Sequence, residues 1–102
     1  ILTGNYKRSV GPPEDSHMAS PFASGARSNY WDDFNLDKVT KLKRISAEMG
    51  CEPTQLVIAW ALSNPVITSA IVGSSRPEQI IKNAEAVELK LPSSIFEQID
   101  QL

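Results

Sequence analysis

Pro65-Val66-Ile67-Thr68-Ser69-Ala70-Ile71-Val72-Gly73-Ser74-Ser75-Arg76-Pro77-Glu78-Gln79 is the stretch on which the fold turns. Ala70, Ile71 and Val72 are apolar at successive positions, hence on both faces of an extended segment. That is the pattern of a strand buried inside a parallel sheet, and it predicts one clear strand over 68–72. Gly73 then predicts a tight turn with room for a close ligand. Ser75 and Glu78, three apart, have capping-box spacing ahead of a helix over about 76–86, with Ile80, Ile81 and Ala84 inward. The free N–H groups and dipole of such a helix start favour an anion. Ser74 adds a hydroxyl, and Arg76 a permanent charge suited to phosphate. Gln79 and Asn83 share a helix face, where their amides can read a nucleobase edge. The same residues fit a plain strand-to-helix turn with a capped helix equally well.

Upstream, Ile1-Leu2-Thr3-Gly4 reads as the exit of a preceding strand, and residues 5–35 read as a long loop. Pro12-Pro13, Pro21, Gly11 and Gly25 break any period there. Loops of that length are uncommon in compact domains unless functional or disordered. Phe22, Tyr30, Trp31 and Phe34 make it too aromatic for a plain linker, so part of it is expected to pack. Asn35 is the expected N-cap of a helix carrying Leu36, Val39, Leu42, Ile45 and Met49 at helical spacing, stopped by Gly50. Pro53 opens a second helix, apolar nearly all round through Leu62 and therefore buried on more than one side. Val87, Leu89 and Leu91 read as extended coil. Ser94 and Glu97 suggest a capping box for a last helix, with Ile95, Phe96, Ile99 and Leu102 on one face. The chain is thus mostly helical with one strand. A lone strand cannot satisfy its own backbone in a core. Either 68–72 is not a strand, or its partners come from upstream sequence or another chain; its two-sided apolarity favours the second.

Bulk properties exclude several classes of function. The 102 residues suffice for one small domain. A net charge of −2 with scattered Lys and Arg does not suggest nucleic-acid binding. The apolar run over 56–62 is far too short to span a bilayer, and no secretory signal opens the sequence. The absence of an initiator Met suggests a fragment or a processed chain. One cysteine, Cys51, fits a reducing, cytoplasmic setting, and Glu52 beside it does not favour a thiolate. One His and one Cys do not build a usual zinc site, so no metal is expected. His17 reads as solvated, Asp32-Asp33 as helix-dipole or solvated carboxylates, and Trp31 and Trp60 as core. No residue stands out as catalytic.

The motifs together resemble the C-terminal third of an aldo-keto reductase, of the branch that includes potassium-channel beta subunits. The similarity covers nearly the whole chain. Ile1-Leu2-Thr3-Gly4-Asn5-Tyr6 is similar to a Leu-Thr-Gly-Lys-Tyr after the family's seventh barrel strand, and Gly25-Ala26-Arg27 to a Gly-Ser-Arg in the following loop. Gln55-Leu56-Val57-Ile58-Ala59-Trp60-Ala61-Leu62 matches the seventh-helix motif. Ala70-Ile71-Val72-Gly73-Ser74-Ser75-Arg76-Pro77-Glu78-Gln79 through Asn83 resembles the eighth strand and the cofactor turn after it.

The resemblance implies the C-terminal part of a TIM (β/α)8 barrel: 1–4 ending strand seven, 5–35 a loop, 36–64 helices, 68–72 strand eight, and 76–102 the closing helices. Phosphate sites of such barrels commonly follow strands seven and eight. It further implies an NADP(H)-dependent oxidoreductase reducing aldehydes or ketones, in which a tyrosine protonates the carbonyl oxygen. Gly73, Ser74, Ser75 and Arg76 would hold the adenosine 2′-phosphate side of the cofactor, and Gln79 and Asn83 would contact the phosphate and adenine. Leu2, Gly4 and Asn5 would lie along the pyrophosphate, with Arg27 clamping it from the loop. The expected partners are a small carbonyl substrate and the rest of the barrel. The family's catalytic Asp, Tyr, Lys and His come from earlier strands, and nothing here matches them. Asn5 stands where many relatives carry Lys, and Lys82 where they often carry Glu. A non-catalytic, NADP(H)-sensing regulatory subunit is the alternative.

Overall fold

A computed structural model describes residues 11–14, 16–25 and 30–102. Short 3-10 turns at His17–Ala19 and Pro21–Ala23 bury Met18 and Ala23. The helices that follow are α1 (Asp33–Met49), α2 (Pro53–Leu62), α3 (Pro77–Glu85) and α4 (Ser93–Asp100), with a 3-10 turn at Ala86–Glu88 after α3.

The first helix forms where its periodicity predicts. Leu36, Val39, Leu42 and Ile45 fall on one face and are buried. Its start lies three residues before the expected one. The carboxylate of Asp32 accepts from the Asn35 N–H (2.8 Å) and from the Asn35 side-chain amide (2.7 Å), so Asn35 is the third residue of the first turn and not the cap. Gly50 ends α1 at φ +68°, a conformation that glycine adopts without steric cost. Pro53 opens α2 as its first residue, and Gln55 reaches back so that its Oε1 accepts the Glu52 N–H at 3.1 Å.

The core gathers Leu42 and Ile45 from α1, Leu56 from α2, and Ile95 and Ile99 from α4, with Trp60, Leu91 and Leu102 packed against it. Each such aliphatic side chain contributes roughly 1.5–3 kcal/mol by leaving water. Trp60 keeps its polar edge satisfied, donating from Nε1 to an Asp100 carboxylate oxygen at 2.8 Å, and so ties α2 to α4.

Four expectations are corrected. First, no strand forms among the described residues: 67–74 has no regular secondary structure. The two-sided apolar pattern is there, and Ile71 is 101% exposed, because no strand among the described residues lies beside it. Second, Ile80 and Ile81 are 61% and 62% exposed and Ala84 is exposed too, so the face of α3 expected to be inward faces solvent. Third, the Ser75–Glu78 capping box is not made. Pro77 occupies the first helical position, which shifts the cap to Arg76. Fourth, α4 begins at Ser93 after Pro92, so the Ser94–Glu97 box is also absent, although Ile95 and Ile99 are buried as expected. Within the long loop, Phe22 and Tyr30 are exposed, as is Phe34 in the first turn of α1, where Lys38 Nζ lies 4.4 Å from its ring centroid.

Candidate functional site

The segment over 67–72 delivers the chain to the start of α3 through Gly73, Ser74 and Ser75, all exposed. Gly73 does not adopt a left-handed backbone, and a Cβ built on it would meet nothing within 4 Å. Its value here is open approach to the backbone, not a special turn geometry. Arg76 caps α3 with an extended backbone, φ −137° and ψ 144°.

Gln79 and Asn83 share a face of α3, one turn apart, and both fold back onto the incoming loop. Gln79 Oε1 accepts from the Ser75 N–H at 2.9 Å and lies 3.4 Å from the Ser75 hydroxyl. The Asn83 side-chain amide donates to Ser74 Oγ at 3.1 Å. Two amides thus hold two serines in register at the mouth of the helix. The structure brings Gly73, Ser74, Ser75, Arg76, Gln79 and Asn83 together. Leu2, Gly4, Asn5 and Arg27 lie outside the described residues.

The donor set differs from that of an open helix start. Pro77 has no N–H, the Gln79 N–H donates to the Arg76 carbonyl at 3.1 Å, and the Ser75 N–H is taken by Gln79. The Ser74 hydroxyl, which accepts from Asn83, keeps its own proton to donate, and the helix dipole favours negative charge here. Glu78 in the first turn favours that dipole but repels an anion.

Behind this loop, α3 is fastened to the start of α2. The Gln55 amide donates to the Lys82 carbonyl (3.1 Å) and to a Glu85 carboxylate oxygen (3.2 Å), and Lys82 Nζ pairs with Glu52. The hydrogen bond to Glu52, reinforced by its charge, pushes the Lys82 ammonium pKa up. Sequence reasoning had no role for Glu52 or Gln55 at the site. A signal existed: Pro at the first helical position with Gln two residues later marks a capped start, and the free half of such an amide can reach a neighbouring element. Cys51, half-buried against the core, has its thiol pushed up by burial, which disfavours a thiolate. Among the described residues no group of three His, Cys, Asp or Glu side chains could hold a metal ion.

The sequence profile of the Aldo/keto reductase family matches residues 1–102. The chain belongs to the aldo/keto reductase family. Membership implies a fragment of a (β/α)8 barrel, a fold in which an apolar segment such as 68–72 is covered by other strands and helices. Among curated relatives in this family, a Schizosaccharomyces pombe protein named as a voltage-gated potassium channel subunit beta is 38% identical over 106 residues, covering 100% of this chain and 30% of the relative. Proteins of the same name from Arabidopsis thaliana and Oryza sativa subsp. japonica are 35% and 33% identical, again over 100% of this chain and over 31% and 30% of their own lengths. The chain therefore spans under a third of the length of these aldo/keto reductase relatives. No helix among its described residues is long and apolar enough to cross a membrane.

Proposed function

We propose that this chain is the C-terminal part of an NADP(H)-dependent aldo-keto reductase that reduces aldehydes or ketones, and that it grips the adenosine-phosphate end of the cofactor. The observation that carries this reading is the loop 73–76, held open-faced by Gln79 and Asn83 at the mouth of α3, in a chain of this family. The donor chemistry fits a phosphate monoester: a guanidinium, a serine hydroxyl, and a glycine whose backbone a bulky ligand can approach.

In this reading Arg76 and Ser74 take the 2′-phosphate. Ser75 offers its N–H once Gln79 releases it, and Gln79 then turns to the phosphate. Asn83 faces the adenine. Leu2, Gly4 and Asn5 follow the pyrophosphate and Arg27 closes over it. The bound cofactor supplies the hydride for carbonyl reduction. The chain's own work is binding and orientation at the end remote from that transfer, where binding energy positions the reacting end. The domain plan is 1–4 before the loop, 5–35 the loop over the cofactor, 36–64 the outer helices, and 76–102 the closing helices. The exposed residues over 66–72 and on α3 meet the rest of the barrel.

A second reading is a regulatory subunit that senses NADP(H) without turning over substrate. It is favoured by the names of the relatives, which describe channel subunits. Both readings share the cofactor site. In the full-length protein Arg76→Ala is expected to weaken NADPH by about 1.5–3 kcal/mol, the worth of a charge-assisted contact, and NADH far less. Titration of both cofactors by fluorescence measures the difference. Equal losses for the two would remove the 2′-phosphate assignment.

A further inference from the structure

The third helix buries none of its own residues. With no fully buried side chain to fix how far it is advanced and rotated, it depends on other anchors to place Gln79 and Asn83, which share one face. The 3-10 turn that follows it supplies one anchor, the buried Ala86. The other is polar. Gln55 uses its two ends separately: Oε1 accepts the Glu52 N–H and caps α2, while Nε2 donates to the Lys82 carbonyl and to Glu85 on α3. Lys82 closes the ring by pairing its ammonium with Glu52. Lys82 immediately precedes Asn83, whose amide holds Ser74.

We propose that Glu52, Gln55 and Lys82 form a positioning latch that sets the rotation of α3, and through it the hold of Gln79 and Asn83 on Ser75 and Ser74. The latch acts on the site without touching the ligand. The proposal rests on the nucleotide reading of the 73–83 loop for its purpose, but its geometry can be tested without any cofactor.

The test uses the full-length protein. The Ser75 amide, held by Gln79, reports loop order through its hydrogen-exchange rate, followed by NMR without cofactor. Glu52→Gln and Lys82→Met should each speed that exchange roughly threefold, the scale of one exposed ion pair. The reversed pair, Glu52→Lys with Lys82→Glu, should return it to the parent rate, because a latch needs opposite charges and not a particular order of them. Unchanged exchange in the single variants, or a reversed pair as fast as either single variant, overturns the latch. NADPH titration adds a second arm. A positioning role predicts that Glu52→Gln and Lys82→Met weaken NADPH alike. Loss with Lys82→Met alone would make Lys82 a direct phosphate contact and overturn the proposal. Arg76→Ala, measured in parallel, separates the two ideas: if it spares NADPH the nucleotide reading fails, while Ser75 exchange still decides the latch.

Discussion

Two apolar regions of this chain meet different fates. In the α1–α2–α4 cluster, Leu56 is 0% and Ile45 2% exposed, whereas in the 66–81 region Ile71 is 101% and Ile80 61% exposed. The residue types are the same; the reach of their partners differs. Helices satisfy their own backbone groups, so α1 and α2, joined by a short turn at Gly50, need only present matching faces. An extended segment satisfies none of its own and needs neighbours on both edges and both faces. The first kind of order forms among the described residues of this chain, and the second does not. The candidate site sits on the boundary between them. Its serines and amides are ordered by α3, and its approach is lined by the uncovered segment.

The largest effects should separate the two regions. Leu56→Ala is expected to cost about 2–5 kcal/mol by leaving a cavity, in the 102-residue chain and in the full-length protein alike. Ile71→Ala should cost the same order in the full-length protein but stay within about 0.5 kcal/mol in the shorter chain, where the side chain is already in water. Urea unfolding of the four proteins measures this. Equal costs for Ile71→Ala in both settings would mean that nothing further covers the segment.

A smaller effect sharpens the site itself. Gly73→Ala meets open space in this chain, so stability should change by no more than about 0.5 kcal/mol. In the full-length protein the added methyl should obstruct the cofactor and weaken NADPH about tenfold. Unaltered binding would place the ligand away from the Gly73 backbone.

The boundary is also where the sequence stops being legible. The helical periods of α1 and α2, the Gly50 stop and the Pro53 start are all readable, because each is decided by residues a few positions apart. Asp32 and Asn35 are both good caps three apart, and only the geometry shows that the carboxylate wins. Pro77 moves the start of α3 past Ser75, although Pro53 already displayed the same preference. That Gln79 and Asn83 share a face follows from helical spacing. That they turn inward to hold Ser75 and Ser74 does not, since both amides could equally have faced solvent. The link from Gln55 to Lys82 joins residues from different helices, which no local pattern reports. The apolar pattern of 68–72 was legible, but strand pairing depends on residues far away in sequence, and no strand forms there among the described residues.

In the barrel reading proposed above, strands outside these 102 residues pair with the segment leading into the site. Amide hydrogen exchange at Ala70, Ile71 and Val72 tests it most directly, compared between the 102-residue chain and the full-length protein. The expected result is rapid exchange in the shorter chain and slowing by at least about a hundredfold in the full-length protein, as lateral hydrogen bonds form. Strong protection in the shorter chain, or none in the full-length protein, would contradict it.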